Sequence, residues 1–562
     1  MNNFDIVKCD ILVIGGGGAG CRAAIESASR ECQVVLASKF PVGQSGATVF
    51  AERFYAGLLG TDSQDNPQNY FQDIVRAGSR LCDRTLALRL ANDSYNRMID
   101  LERYGIKFKE KEDGKLLQME ALGHSYPRGL SPLGGGHSII RVLQREMKKH
   151  KQIQILEDVM VCKILINANT VAGAICLDLR KWKPVLIKSK AVIVATGGYS
   201  ALWMHSDGPC DLTGDGIAMA YHAGADLIDM EMILFYPTVI TYPPSVHGVL
   251  LPHEILTHQI KAKLLNGHFE EFLPERISTL EAINYLIYKE IAKGSGTPHG
   301  GIYLDVSRSS ISRDEVRSNL MTLLPEKYMY LLEYGIDIAC QPLEVAPMAH
   351  YALGGIRIDS ECRTRVFGLY GAGETAGNVH GANRLEGNAL PEVQVFGAKA
   401  GEMAAHWAKG HDYMDWNIQE VDYEIKRMES LSEPKRNAIN PSQLKTRLQS
   451  IMWNYVGPER DETKLRLAIQ EIERMKKQDI DRMTIPPIRV FNLQWVHAIE
   501  VSQMLDVSEM IARAALIREE TRGHHVRKDF PEKDDKNWLR HTLIRKEGGK
   551  MKLWTEPVEE VT

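Results

Sequence analysis

The 562-residue chain has no run of about 18 or more apolar residues, which removes a membrane-spanning helix from the reading and leaves any membrane anchor to another subunit. It has no C-x-x-C pair. Its nine cysteines, at 9, 21, 32, 82, 162, 176, 210, 340 and 362, are scattered, so no zinc or iron–sulfur ligand set forms by spacing and no metal site is expected. The odd count without framework spacing suits a reducing compartment. Charge imbalance is also missing: 68 Lys and Arg stand against 72 Asp and Glu, which gives no reason to propose nucleic acid or an acidic membrane surface as a partner. The start MNNFDIVKCDILVIGG shows neither twin arginines nor the basic-then-apolar pattern of a signal peptide, so the cytoplasm is the expected location.

What is present begins with length. At roughly 150 residues per domain, the chain has room for two to four packing units and can bury a large cofactor. Asp10–Ile14 reads as a short apolar strand running into Gly15-Gly16-Gly17-Gly18-Ala19-Gly20, then the helix-forming stretch CRAAIESASRE and a second strand, QVVLA. Gly15, Gly17 and Gly20 fill the G-x-G-x-x-G spacing, and Gly18 lies inside it. There the missing side chains permit a tight turn, close approach to a pyrophosphate and close helix-on-strand packing, while the helix N-terminus supplies N–H groups. The second strand ends in Ser38-Lys39 rather than in the acidic residue that takes a nicotinamide ribose.

The logic recurs twice. Val192–Val194 leads into Ala195-Thr196-Gly197-Gly198, with Thr213-Gly214-Asp215-Gly216 opening a helix soon after, and VFGLYGAGETAG offers Glu374 as an acceptor for a hydroxyl. Three glycine turns after apolar strands point to one long, two-ended cofactor, and to an α/β fold of Rossmann type.

The runs SKFPVGQSGAT, VIVATGGYS, TGDGIAMAYHAGADLIDMEMILFYPT, HYALGGIRID, LYGAGETAGNVHGANRLEGNALPEVQVFGAKAG and REETRGHHVRKDFPEKDDKNWLRH carry a stronger signal. In order and spacing they resemble the flavoproteins of fumarate reductase and succinate dehydrogenase, L-aspartate oxidase and, more distantly, adenylylsulfate reductase. The resemblance implies FAD and an FAD-binding domain over residues 1–229 and 351–424. It also implies an α+β capping domain at 230–350 and a C-terminal helical domain at 425–562. The charge-rich, helically spaced segments after 425 agree with the last division.

The resemblance further implies hydride transfer between flavin N5 and a carbon of a carboxylate substrate, with electrons exchanged with a separate iron–sulfur subunit. Arg384 matches the family's substrate arginine, suited to bidentate donation to a carboxylate, and His350 matches a substrate-side histidine. Asn388, Ala389 and Leu390 match the stretch beside the isoalloxazine, and His137, after Gly134-Gly135-Gly136, lies where the family has a T-G-H turn near the cofactor, which implies a structural or flavin-contacting role.

Three positions depart from the family. The family's F-H-P-T reads Phe235-Tyr236-Pro237-Thr238, leaving a phenol that donates one hydrogen bond but never becomes cationic. Leu280 stands where the family carries a proton-donating arginine; Arg276 and Arg308 are the nearby guanidiniums. Ser45 is followed by Gly46, where succinate dehydrogenases carry the histidine bonded to flavin, so the FAD is expected to be noncovalent. The alternatives are an adenylylsulfate-reductase-like or L-aspartate-oxidase-like enzyme, or a flavin electron-transfer subunit with a vestigial substrate pocket.

Overall fold

The computed structural model describes residues 5–51, 54–59, 64–274, 279–488, 490 and 492–559. Strand Ile11–Ile14 is buried along its whole length, as is Val34–Ser38. Their side chains face covered layers on both sides, which is why the pattern is continuous rather than alternating. They are central in a five-stranded sheet ordered Leu369–Gly371, Ala191–Val194, Ile11–Ile14, Val34–Ser38, Ile153–Glu157. Every pairing in it is parallel.

Helix Gly18–Ala28 packs against helix Ala389–Gly410. Glycines set that contact: a Cβ on Gly397 would lie 2.7 Å from the Ala19 carbonyl oxygen, and one on Gly401 would lie 2.5 Å from that of Ala23. The helices therefore meet backbone to backbone. A second sheet, Asp5–Lys8, Lys183–Lys188, Thr170–Asp178, Val159–Asn167, completes the layers of this region.

Between residues 240 and 345 a separate apolar core forms, drawing on Ile240, Leu256, Ile287, Leu304, Leu320 and Val345. Its antiparallel sheet runs Ile233–Tyr242, Leu343–Ala352, Ile302–Asp305, Lys263–Leu265. The two long strands of this sheet carry Tyr236 and His350 on adjacent strands.

Helices Pro441–Tyr455, Glu462–Arg474 and the 25-residue Leu493–Ile517 pack on one another near the C-terminus. The expected helical unit at 425–562 does not stay helical. Arg540–Glu547 and Lys550–Pro557 form an antiparallel hairpin that adds to Leu227–Ile228. Gly548 and Gly549, at φ +57° and +78°, make its two-residue turn, the conformation that such hairpins require. Among the described residues, no helix is long and apolar enough to cross a membrane, and no cluster of His, Cys, Asp and Glu is arranged to hold a metal ion.

Candidate functional site

A cavity of about 660 Å³ opens at the carboxyl ends of the parallel strands, the place where open α/β sheets bind ligands. At one end lies the turn Gly15–Gly18. Gly15 has φ +111°, and a Cβ there would sit 2.2 Å from the Ala195 carbonyl oxygen, so the turn itself demands glycine. Gly17 caps helix Gly18–Ala28 with no side-chain hydrogen bond, no acidic residue stands in the first turn, and a Cβ on Gly17 would meet nothing within 4 Å. The result is a bare helix N-terminus facing open space, which suits an anion such as a pyrophosphate. The Gly18 amide lies 3.3 Å from Thr48 Oγ1.

Polar groups follow along the same wall. Lys39 donates to Glu500 at 2.8 Å and to Asp215 at 3.2 Å. Burial disfavours its charge, but the Asp215 and Glu500 carboxylates outweigh that and raise its pKa. Lys39 thus lines the cavity as part of an ion-paired group rather than as an open cation. Asp215 begins the helix Asp215–His222. Glu374 is enclosed beside Gly198 and accepts from the Ala352 amide at 2.9 Å. Burial, opposed by that amide and assisted by Glu392, pushes its pKa up to about 8, so at neutral pH it is mostly protonated. Thr196 Oγ1 lies 3.3 Å from Thr375 Oγ1. Ser38, Ser45, Gly46, Ala195 and Gly197 also line the space, and Gly46, at φ +79°, would project a Cβ into it without contact.

The other end of the cavity carries a cation and a hydrogen-bonded chain. Arg384 stands 4.6 Å over the Tyr351 ring and donates to the Leu385 carbonyl at 3.1 Å. One Arg384 Nη lies 3.4 Å from His350 Nε2, and His350 Nδ1 lies 2.8 Å from Asp207 Oδ2. Tyr351 donates to Glu392, which also receives His380 Nε2 at 3.0 Å. Tyr236 lines the cavity, with its ring 5.4 Å from that of His350. Its hydroxyl lies 3.1 Å from Glu254 Oε2 and accepts from the His253 amide at 3.2 Å.

Most residues singled out from the sequence lie on this cavity, including Ala389 and Leu390 at the start of the long helix. Gly20 and Asn388 do not. A Cβ on Gly20 would come 1.9 Å from the Gly15 carbonyl oxygen, so this glycine serves helix-on-strand packing. Asn388 is fully buried behind the cavity wall, its Oδ1 accepting from Tyr70 at 2.7 Å. His137 is exposed and does not line the cavity. Arg308 pairs with Asp305 at 3.2 Å and does not line the cavity, while Arg276 lies outside the described residues.

Sequence reasoning passed over Asp207, Thr48 and Glu392. Asp207 sits in a loop with no motif, and only the pairing of Ser206 with Ala349 brings it to His350. The arginine-rich C-terminal motif proves architectural: Arg518, Arg522 and Arg527 are at most 1% exposed and are consumed by Asp229, Glu231, Glu520, Asp529 and backbone carbonyls.

One continuous cavity, with a bare helix N-terminus and buried hydroxyl acceptors at one end and an arginine–histidine pair at the other, fits a flavin dinucleotide and a small anion together. Fold and site define an FAD-dependent oxidoreductase. The profile described as FAD binding domain matches residues 10–390, and that described as fumarate reductase flavoprotein C-term matches 445–562. One chain of the CoM/CoB fumarate reductase of Methanothermobacter marburgensis is 36% identical over 556 residues, covering 96% of this chain and 98% of its own. Mycobacterium smegmatis Sdh1, solved in complex with UQ1, superposes with a TM-score of 0.90 at 32% identity, over 99% of this chain and 95% of that one. A quinol–fumarate reductase solved with menaquinol gives a TM-score of 0.91 at 27% identity, over 100% and 99%. The chain belongs to the fumarate reductase and succinate dehydrogenase flavoprotein family.

Proposed function

We propose that the chain is the flavoprotein subunit of an enzyme that adds or removes hydrogen across a C–C bond of a small carboxylate, exchanging electrons with a separate iron–sulfur subunit. The observation that carries this reading is the placing of Arg384 and His350 in the same cavity as the Gly15–Gly18 turn. FAD, when bound, supplies the two-electron chemistry. The chain's own residues would hold it: the amides of the first turn the pyrophosphate, Asp215 and Glu374 hydroxyls, and the segment at Ala389 and Leu390 the ring. Arg384 and His350 orient the carboxylate, with Tyr236 beside them. Gly46 leaves no nucleophile for a covalent link, so the cofactor is noncovalent. In this reading residues 1–229 and 351–424 hold FAD, 230–350 cap the site, and 425–562 close it as helices followed by the terminal hairpin.

Relatives named as fumarate reductases make fumarate the first substrate to test, and the Methanothermobacter marburgensis relative, being one subunit of its enzyme, supports a multi-subunit assembly. Purified yellow protein is mixed with reduced viologen and a panel of unsaturated acids. Viologen oxidation by one of them, and FAD left in the supernatant after acid precipitation, are the expected results. No oxidation by any acid rejects the carboxylate reading and favours a flavin electron-transfer subunit. The Tyr236 hydroxyl, already engaged by Glu254 and the His253 amide, is the observation on that second side.

A further inference from the structure

We propose that Asp207 is a positioning residue that favours the doubly protonated form of His350 when a carboxylate occupies Arg384, so that the site takes up a proton together with its anion. The inference deepens the carboxylate reading above and rests on it.

The geometry starts in the backbone. The Asp207 amide donates to the Ala349 carbonyl at 3.2 Å, and the Ala349 amide donates to the His205 carbonyl at 3.0 Å. These bonds zip the 205–207 segment onto the strand that carries His350, so the Asp207 carboxylate cannot drift from the imidazole. The Asp207 side chain is 3% exposed, with Oδ2 lying 2.8 Å from His350 Nδ1. Its other oxygen, Oδ1, is buried with no partner among the described residues. A carboxylate this enclosed is stabilised chiefly by a proton donor or cation at its side, and His350 is the titratable donor that touches it.

The remaining groups around His350 fix the direction of the effect. Arg384, on the far side of the ring, opposes a second proton at Nε2 from 3.4 Å. Tyr236, on the adjacent strand, is occupied with Glu254. His524, from the C-terminal segment, is kept neutral: burial first, then the charges of His350, Arg460 and Arg384, push its pKa down to about 3. Glu374, the next acid along, is held up near 8 by burial. In the ligand-free site the balance is Asp207 against Arg384. An anion laid on Arg384 cancels that cation and presents an oxygen lone pair to Nε2. Two acceptors then flank the imidazole, one at each nitrogen, and each favours the imidazolium. The loaded cluster of Asp207, His350, Arg384 and ligand carboxylate carries two charges of each sign.

Linkage gives the sign. If the ligand raises the protonation of His350, affinity weakens as pH rises, by at most about tenfold per pH unit for one proton taken up. Removing Asp207 removes one of the two acceptors, so the uptake falls.

The test is calorimetric titration of malonate into the FAD-loaded protein, in pairs of buffers of different ionisation enthalpy, from about pH 6 to about pH 9. Malonate has a single CH2 between its carboxylates and so no adjacent CH–CH to oxidise. Flavin absorbance reports cofactor content and ligand binding independently. The wild type is expected to take up about one proton per malonate at its maximum. Asp207→Asn, still yellow, is expected to take up markedly less and to bind more weakly at neutral pH, with Asp207→Glu restoring both. His350→Gln is expected to bind without buffer dependence. Wild-type binding whose heat is the same in both buffers, or Asp207→Asn with undiminished uptake, overturns the proposal and leaves the carboxylate reading standing. Absence of any response to malonate, succinate or fumarate instead overturns the carboxylate reading, and this inference with it.

Discussion

At the scale of single residues, the glycine turn and the Arg384–His350 pair line different parts of one cavity, and the proposed cofactor and substrate roles predict different responses to substitution. Arg384 touches the Tyr351 ring, the Leu385 carbonyl and His350, none of which supports the glycine turn. Replacing it with Lys keeps a positive charge but loses the planar fork that donates two parallel bonds to a carboxylate. Arg384→Lys is expected to retain its flavin absorbance and melting temperature while losing about 100-fold or more of kcat/KM toward the best unsaturated acid; unaltered kinetics would mean the guanidinium never meets substrate. Glu374 gives a pH signature of its own. Its carboxyl moves from an ordinary 4.5 to about 8 because it is buried, so between those values the folded protein holds a proton that the unfolded chain has released. Stability from this group is therefore full below about 4.5 and falls as pH rises towards 8, by at most about 1.4 kcal/mol per pH unit. Glu374→Gln removes the titration and can still accept from the Ala352 amide. Denaturant midpoints measured across pH should decline less steeply for the variant than for the wild type, and parallel curves would remove Glu374 as the cause.

At the scale of elements, much of the cofactor half was legible because it is local. A strand, a glycine turn and a helix occur within residues 11–28, and each glycine has its own steric reason. Gly15 is forced by its positive φ, Gly20 by the carbonyl 1.9 Å from its would-be Cβ, and Gly17 by neither. Gly20→Ala therefore tests packing apart from ligand approach: the helix must move off the strand, at a cost of about 1–3 kcal/mol, and the turn that faces the cofactor moves with it. Lower thermal stability together with weaker FAD retention is the expected result, whereas Gly17→Ala is expected to lose FAD with little change in the stability of the cofactor-free protein. The substrate half was less legible. Arg384 and His350 were visible because motifs surround them, but Asp207 reaches His350 across 143 residues of sequence, and no periodicity announces a contact made by one bridge. The terminal hairpin was hidden for another reason: RHTLIRKE and KMKLWTEP are as charged as the helices before them. The Gly548-Gly549 pair between them was the signal, since two adjacent residues with positive φ suit a hairpin turn and end a helix.

At the scale of the whole molecule, the C-terminal segment is tied to the region that carries the site by buried charge rather than by apolar area alone. Arg518 is 0% exposed. Its Nε donates to Glu231 at 2.6 Å, its Nη groups donate to Glu520 at 3.0 Å and to Asp229 at 3.4 Å, and further bonds reach the carbonyls of Trp538 and Arg540. All five of its donors are used. Asp229 also receives His541 and the Thr542 amide from the hairpin, and Glu231 receives the Thr542 hydroxyl. Residues 229 and 231 lie just before the strand that carries Tyr236, so the network sets where that strand leaves the FAD-binding region. Such a motif looks catalytic in sequence because it is dense in arginine and histidine; the structure shows Arg518, Arg522 and Arg527 buried and bonded to internal carboxylates and carbonyls. Removing Arg518 takes the salt-bridged cation from buried Glu231 and one of the partners from Asp229 and Glu520, which keep His541 and Arg522. A buried ionic partner of this kind costs about 3–5 kcal/mol when lost, more than a surface pair by a wide margin. Arg518→Met is accordingly expected to lower the denaturant midpoint of the whole protein in one cooperative transition. Arg313→Met, on an exposed helix of the separate core at 240–345, is expected to leave it within experimental error. If Arg518→Met instead unfolds only the hairpin, with the flavin transition unmoved, the network is a local clasp and does not couple the C-terminal segment to the site.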